Sequence, residues 1–153
     1  MKRILLVIAA VIAILAIPFP AEASLGGNIN SVQADQTRLQ GKLSSTANGA
    51  YTIEEIQAPT GVVVREYVSS SGTVFAVTWH GPTRPDLRQV LGTYMTTFTE
   101  ALQAQRGSRV VRGALVIRQP GLVVEMGGHM RWLVGRAYVP NMVPAGVQME
   151  EIR

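Results

Sequence analysis

Residues that can bind anions or move protons are concentrated in the stretch WHGPTRPDLRQVLG, residues 79–92. It contains His80, Arg84 and Arg88, and a second histidine, His129, follows a Gly-Gly pair later in the chain. Imidazole and guanidinium groups donate hydrogen bonds to anions, and imidazole titrates near neutral pH. We expect these four residues to form one binding face if the two turns that carry them lie at the same end of a sheet.

The two histidines give little support for a metal site. Zinc usually takes three or four protein ligands from His, Cys and carboxylates. The chain has two histidines, no cysteine, and neither HxH nor HExxH spacing. Asp86 and Glu125 are the carboxylates that would have to complete a site with His80 and His129. We therefore expect no metal and no cofactor, and a metal-dependent enzyme that uses the two histidines is kept as an alternative.

The sequence also contains few candidate residues for nucleophilic catalysis. Serines occur at residues 69–71 in SSSG, which is typical of a turn, and no G-x-S-x-G motif occurs. Glu54 and Glu55 are neighbours in a predicted strand, so their side chains point to opposite faces. The sequence names no catalytic residue and favours a binding protein over an enzyme. A small hydrolase that uses His80 and His129 is the alternative.

The first 23 residues have the organisation of a secretory signal peptide. Lys2 and Arg3 precede an apolar run over residues 4–17, and the sequence AEA ends at Ala23. This pattern predicts cleavage between Ala23 and Ser24. The run is shorter than the roughly 20 residues that a spanning helix needs. We therefore expect a periplasmic or secreted protein without a stable membrane anchor after cleavage.

The chain beyond the predicted cleavage site is mildly basic. The full sequence has 14 basic and 10 acidic residues; without Lys2, Arg3 and Glu22 the counts are 12 and 9, a net charge of +3. This mild charge, together with export, argues against a nucleic-acid partner. The absence of cysteine excludes disulfides and thiol chemistry.

Two regions follow the signal peptide. Residues 24–50 are small and polar, and we expect a loosely structured segment with either a short helix near 31–43 or a flexible lead-in.

The sequence of residues 51–153 predicts a single α+β domain. YTIEEI, VVVREYV and TVFAVTW have the composition of strands. SSSG between the last two predicts a hairpin, and TVFAVTW is expected to be a central strand with Phe75, Val77 and Trp79 on one face.

One long amphipathic helix is predicted over about 84–105. Gly81-Pro82 ends the preceding strand, and Asp86 stands near the helix start, where a carboxylate interacts favourably with the helix dipole. Apolar residues recur at i, i+3, i+4 and i+7 from Leu87 to Leu102. The end of a strand and the start of a helix therefore explain GPTRPD without a catalytic role.

Three further strands are predicted at ALVIRQP, LVVEM and MRWLVGRAYV, and Gly135 in the last marks a bulge or a close approach of backbone. The order is βββ-α-βββ. It predicts an α+β fold, an antiparallel sheet of five or six strands with one long helix packed on it. The aromatic residues available for a surface patch on this sheet, of which at least half are expected in the core, are Tyr67, Trp79, Trp132 and Tyr138.

The segment REYVSSSGTVFAVTWHGPTRPDLRQVLGTY resembles the middle of the family called domain of unknown function 2844 (DUF2844), small exported proteins of proteobacteria. GGHM, GRAYVP, PAGV and EEIR follow in the order of that family's motifs. The resemblance implies no activity, cofactor or catalytic residue. At most positions where the family's motif has recurrent residues, the residue type is explained by the turn that ends the strand or by the start of the helix. His129 is the residue that these structural roles explain least. The positions with recurrent residues are Gly72, Trp79, Gly81, Pro85, Asp86, Leu87, Gly92, Gly128 and His129.

These observations favour a non-enzymatic binding or accessory module of the cell envelope. It would contact an envelope or exported protein through the face that contains His80, Arg84, Arg88 and His129. Two alternatives are kept, the hydrolase or metal-dependent enzyme above and an envelope structural subunit that assembles by strand addition at an exposed sheet edge. The sequence leaves the oligomeric state open.

Overall fold

The computed structural model describes residues 25–105 and 114–153. The predicted signal peptide and its cleavage site at Ala23 and Ser24 lie outside these residues. The described chain is an α+β fold in which one antiparallel sheet has helices on one face and an irregular segment on the other. No helix in the two described ranges is long and apolar enough to cross a membrane.

Seven strands and three α-helices make up the part of the chain that the structure describes. The strands are β1 (Lys42–Asn48), β2 (Tyr51–Gln57), β3 (Val63–Ser69), β4 (Val74–Gly81), β5 (Leu115–Gln119), β6 (Leu122–His129) and β7 (Trp132–Tyr138). The helices are α1 (Ile29–Leu39), α2 (Leu87–Leu91) and α3 (Met95–Gln105). The strands lie in the order β1-β2-β3-β4-β7-β6-β5. Two meanders, β1–β4 and β5–β7, are therefore joined by the pairing of β4 with β7.

The α+β class and the antiparallel pairing are confirmed, but the prediction of five or six strands and one helix was wrong. The additional strand is β1, whose sequence KLSSTAN lacks the alternation that marks a half-buried strand. β1 is an edge strand, exposed along nearly its whole length, and it pairs through all seven residues with β2. Backbone pairing rather than side-chain burial holds it, so the hydrophobic pattern gave no signal.

The helical layer also differs from the single predicted helix. The helix predicted over about 84–105 begins at Leu87, where the Asp86 side chain accepts a hydrogen bond of 2.9 Å from the Arg88 backbone N–H. It is interrupted by a 3₁₀ turn over Gly92–Tyr94 that separates α2 from α3. The other helix, α1, lies in the N-terminal segment for which the sequence predicted either a short helix near 31–43 or a flexible lead-in, and Asn28 caps its start.

The predicted β3–β4 hairpin is present, and β4 is the central strand of the seven. A bulge interrupts this hairpin, because Tyr67 pairs with Ala76 and Val68 pairs with Val74, which leaves Phe75 unpaired. Phe75 therefore packs on the face opposite Val77. The prediction that Phe75 shares a face with Val77 and Trp79 was wrong, since a bulge resets the alternation of side chains.

Each face of the sheet has its own core. The helices pack on one face, the helix face, where fully buried side chains include Val32, Val64, Leu91, Ile117 and Val124. Residues 140–153, which we call the strap, cross the opposite face, the strap face. Four apolar strap residues pack there on or beside Tyr51, Tyr67, Phe75 and Ala76; they are Val143, Val147, Met149 and Ile152. The strap covers only part of its face, and this leaves room for a site.

Candidate functional site

The end of β4 and the β6–β7 hairpin lie at the same end of the sheet. Gly81 pairs with Leu133, and His129 pairs with Trp132 across the hairpin. The His80 ring lies on the strap face with its centroid 5.2 Å from that of Trp132 and a tilt of 37°. This ring contact makes His80 and Trp132 parts of one surface.

The other three residues of the predicted binding face are dispersed. His129 is exposed, with its Nδ1 atom 3.3 Å from the Met130 backbone oxygen. Arg84 is exposed in the connection from β4 to α2, and Arg88 is exposed on α2. Because α2 packs on the helix face, the sheet separates Arg88 from the His80 ring. Within residues 25–105 and 114–153, no hydrogen bond or ring contact joins any two of the four.

An open groove lies near these residues on the strap face, with a volume of about 750 Å³. It lies between the end of the strap and the β6–β7 hairpin. Its apolar lining includes Val116, Trp132, Val134 and Ile152, and its polar lining includes Arg65, His80, Glu125, Arg136 and Arg153. We call it the groove.

The alternation of side chains along β7 explains why the groove is apolar. Trp132, Val134 and Arg136 are two residues apart and face the strap side, as does Tyr138 farther along. The strap packs against Tyr138 and leaves Val134 and Trp132 39% and 50% exposed. Val116 on β5 is 37% exposed. Contiguous apolar side chains are therefore left open to solvent in a concave site.

Ion pairs organise the charged wall of the groove. Glu125 accepts from Arg136 Nη2 at 2.5 Å and from Arg118 Nη2 at 3.0 Å. Arg65 Nε lies 2.7 Å from Glu55 Oε2. Hydrogen bonds from Gln57 and from Arg65 lower the pKa of the Glu55 carboxyl. Among the described residues that line the groove, three are arginines and one is a glutamate, and the arginine without a carboxylate partner in the described part of the chain is Arg153.

The same arginines hold the strap in place. Arg136 Nη1 donates to the backbone oxygens of Met149 and Ile152. Arg65 Nη1 and the Tyr67 hydroxyl donate to the backbone oxygen of Arg153, at 2.9 Å and 2.8 Å. Arg65 and Arg136 therefore both hold the strap and form part of the polar wall of the groove.

Among the described residues, the serines, the neighbouring glutamates and the histidines are not arranged as in a catalytic site. Ser69 ends β3 and Ser71 lies in the β3–β4 turn, at the end of the sheet away from His80. Thr73 and His80 are seven positions apart, at a rise of about 3.3 Å per residue. Glu54 and Glu55 do point to opposite faces, with Glu54 buried on the helix face. No group of three His, Cys, Asp or Glu residues able to hold a metal occurs within the described ranges.

A second group of polar residues lies buried between helices and sheet. Asp35 on α1 is 3% exposed and Glu66 on β3 is 1% exposed. Burial, together with the hydrogen bond to Asp35, raises the pKa of Glu66 to about 9, and burial also raises the pKa of Asp35. Glu66 is therefore protonated at neutral pH and donates to Asp35.

This buried pair joins three elements of the helix face. Gln89 Nε2 on α2 donates to Asp35 Oδ1 at 2.5 Å, so α1, α2 and β3 meet at one carboxylate. Both carboxyl groups are nearly inaccessible to solvent. We assign the pair a structural role, distinct from the groove. Sequence reasoning missed it because Asp35 lies in a segment whose polar composition suggested a loose structure.

Sequence reasoning also missed most of the groove. Of the four aromatic residues proposed for a surface patch, Tyr67 and Trp79 are 2% exposed and only Trp132 is half exposed. The alternation of Trp132, Val134 and Arg136 along β7 was an available signal. It did not show whether the strap would cover these residues.

The fold and the groove define a small α+β protein with an open, partly apolar surface on one face of its sheet. The family described as "Protein of unknown function (DUF2844)" matches residues 21–152, nearly the whole chain, and the protein belongs to that family. The resemblance identified from the sequence motifs is thereby confirmed. Comparison with curated proteins and with solved structures gives no significant match.

Proposed function

We propose that the protein is a non-enzymatic binding module of the bacterial cell envelope that holds an envelope or exported protein in the groove. One observation carries this proposal: Trp132, Val134 and Val116 stay exposed together in a concave site of about 750 Å³. Contiguous exposed apolar side chains typically mark binding surfaces. Clefts of this volume that combine apolar walls with a few polar groups are the usual form of ligand sites.

The polar groups of the groove support binding rather than catalysis. His80 stacks on Trp132 instead of lying beside a nucleophile. Arg65 and Arg136 are engaged with carboxylates and with backbone oxygens of the strap. Groups held in this way orient and attract a partner.

The proposed location follows from the sequence. The basic start, the apolar run and the AEA sequence before Ser24 support export to the periplasm or beyond. A protein exported in this way meets envelope and secreted proteins, and these are the partners that we propose.

Strand addition is a second candidate, because β1 and β5 are the edge strands of the sheet. β1 presents one long edge with mostly exposed side chains. On the β5 edge, Gln105 Nε2 donates to the Val116 backbone oxygen at 3.1 Å, which occupies one acceptor. Assembly through β1 predicts oligomers that grow with concentration in light scattering, whereas a groove-binding module stays monomeric. No observation in the described residues favours the hydrolase or metal-enzyme alternative.

Photo-crosslinking in cells tests the groove proposal. Benzoylphenylalanine replaces Trp132 in the groove or, as the matched control, Thr96 on the exposed side of α3. We expect one dominant protein adduct in the envelope fraction from position 132 only, and its loss when Val134→Asp is added. The proposal fails if position 132 gives no protein adduct, or if position 96 gives the same one.

A further inference from the structure

The strap shows how the strap face already holds a peptide segment. It lies across the sheet face and forms none of the seven strands. The side chain of Ile152 is fully buried on the sheet beside Tyr67 and Phe75. Backbone oxygens at Met149, Ile152 and Arg153 accept hydrogen bonds from sheet side chains. Apolar side chains thus point into the sheet while arginines hold the backbone.

The groove offers the same features directly beside the strap. Arg65 and Arg136, which hold the strap, also line the groove. Trp132 and Val134 provide an apolar floor there that no residue of the described chain covers completely. A second peptide segment placed in the groove would lie beside the strap and meet the same kinds of side chains.

Charge indicates the composition of that segment. Among the described residues, Glu125 pairs with Arg136 and Arg118, and Arg65 pairs with Glu55. The guanidinium of Arg153, which also lines the groove, has no carboxylate partner among these residues. In the described ranges, His80 makes no hydrogen bond through its ring, and of the Arg153 guanidinium nitrogens only Nε makes one, to the Glu150 backbone oxygen. Carboxylate side chains complement such a surface, and basic ones are repelled from it.

We infer that the groove binds an extended segment of its protein partner in which apolar residues alternate with Asp or Glu. This inference rests on the proposed function and adds the chemistry of the partner. The apolar side chains contact Trp132 and Val134, and the carboxylates lie toward Arg153 and Arg65. The segment lies flat on the sheet face beside the strap.

Three labelled peptides test the inference against purified protein that begins at Ser24. Isoleucine alternates with glutamate in the first, with glutamine in the second and with lysine in the third. Fluorescence anisotropy measures the Kd of each at low and at high salt. We expect the glutamate peptide to bind about tenfold more tightly than the lysine peptide, with a preference that shrinks as salt screens the arginines.

Variants identify the surface that binds. Val134→Asp should weaken binding of the glutamate peptide by about tenfold or more, because it places a carboxylate in the apolar floor. Thr96→Asp adds the same charge on α3 and should leave binding unchanged. Arg153→Gln should reduce the preference for glutamate over glutamine, since it removes a guanidinium while keeping the backbone oxygen that Arg65 and Tyr67 bind.

The outcomes separate this inference from the proposed function. Equal affinity for the glutamate and lysine peptides overturns the acidic composition. Undiminished binding to Val134→Asp overturns the groove as the peptide site. Failure of all three peptides to bind overturns the extended segment, while a protein adduct at position 132 would still support the binding module. If position 132 gives no protein adduct in the otherwise unmodified protein, that result counts against the proposed function itself.

Discussion

The indole ring of Trp79 lies against the backbone of Gly135, its direct partner on β7. A Cβ atom at position 135 would lie 2.1 Å from Trp79 Cζ2 and 2.3 Å from Cε2. Trp79 is 2% exposed, and it packs where the two meanders of the sheet join. The ring occupies the space of the missing side chain, so the close approach expected at Gly135 is confirmed.

Gly135→Ala should therefore destabilise the protein. The added methyl group forces a buried ring to move, and overpacking of this kind typically costs about 1–3 kcal/mol in the free energy of unfolding. Urea denaturation followed by circular dichroism measures the loss. Gly121→Ala is the matched control, because a Cβ at that position meets no atom within 4 Å. Equal losses in the two variants would contradict the explanation.

Glu66→Gln should remove a dependence of stability on pH. The pKa of Glu66 is raised from 4.5 to about 9 in the folded protein by burial and by Asp35 and Glu54 nearby. Between these values the folded protein keeps a proton that the unfolded chain has lost. The free energy of unfolding therefore falls as pH rises through this window, by at most about 1.4 kcal/mol per pH unit. Glutamine stays neutral and can still donate to Asp35.

The expected result is a difference that grows with pH. Glu66→Gln and the unmodified protein should have similar stabilities near the acidic end of the window. The variant should become the more stable of the two as the pH approaches the alkaline end. Urea titrations at several pH values measure this difference, with Glu100→Gln on the exposed side of α3 as the control. Parallel profiles for Glu66→Gln and the unmodified protein would show that Glu66 does not hold its proton.

Ile152→Ala should release the strap. Ile152 is fully buried, and truncation of a buried isoleucine typically costs about 2–5 kcal/mol. Hydrogen exchange should show faster exchange over residues 140–153, while the exchange of α1 stays slow. Glu151→Ala, at an exposed neighbour, is the control. Unchanged protection of the strap would mean that other contacts fix it.

The double substitution His80→Ala with His129→Ala should leave the fold intact. His129 is exposed, and His80 is partly exposed with a ring contact to Trp132. Thermal unfolding should shift by only a few degrees, as for about 1 kcal/mol or less in a domain of this size. Val77→Ala in the core is the positive control. A large loss of Tm in the double variant would make the two histidines structural and remove them from any binding face.

The two tryptophans should report different parts of the molecule. Trp79 is 2% exposed and Trp132 is 50% exposed, so acrylamide should quench mainly the emission of Trp132. Trp132→Phe should shift the remaining emission to shorter wavelength and protect it from quenching. Strong quenching in Trp132→Phe would place Trp79 in contact with solvent, contrary to the packing on Gly135.

The parts of the fold that are determined by residues close together in the sequence were predictable. The β3–β4 hairpin follows from two strand-like runs around SSSG, and the start of α2 follows from Asp86 after Gly81-Pro82. β1 was not predictable, since a polar edge strand lacks a hydrophobic pattern. The bulge at Phe75 was also missed, because nothing in the sequence TVFAVTW interrupts the two-residue alternation of side chains at this position.

The candidate site was less predictable, because it depends on contacts distant in the sequence. His80 and His129 could be assigned to turns, and their turns share one end of the sheet. The groove, however, depends on which residues of the sheet the strap leaves uncovered, and these include Trp132 and Val134. Arg65 belongs to it through the pairing of β3 with β4, and Arg136 through that of β4 with β7. No local pattern contains this information.

The pairing of β4 with β7 also determines the order in which the protein can fold. Gly81 and Leu133 are 52 residues apart, and Ala76 and Tyr138 are 62 apart, whereas neighbouring strands within each meander are close in the chain. Each meander can form from local contacts, but closing the long loop between them costs more entropy. High sequence separation slows folding, so we expect the junction at Trp79 and Gly135 to form late and to limit the folding rate.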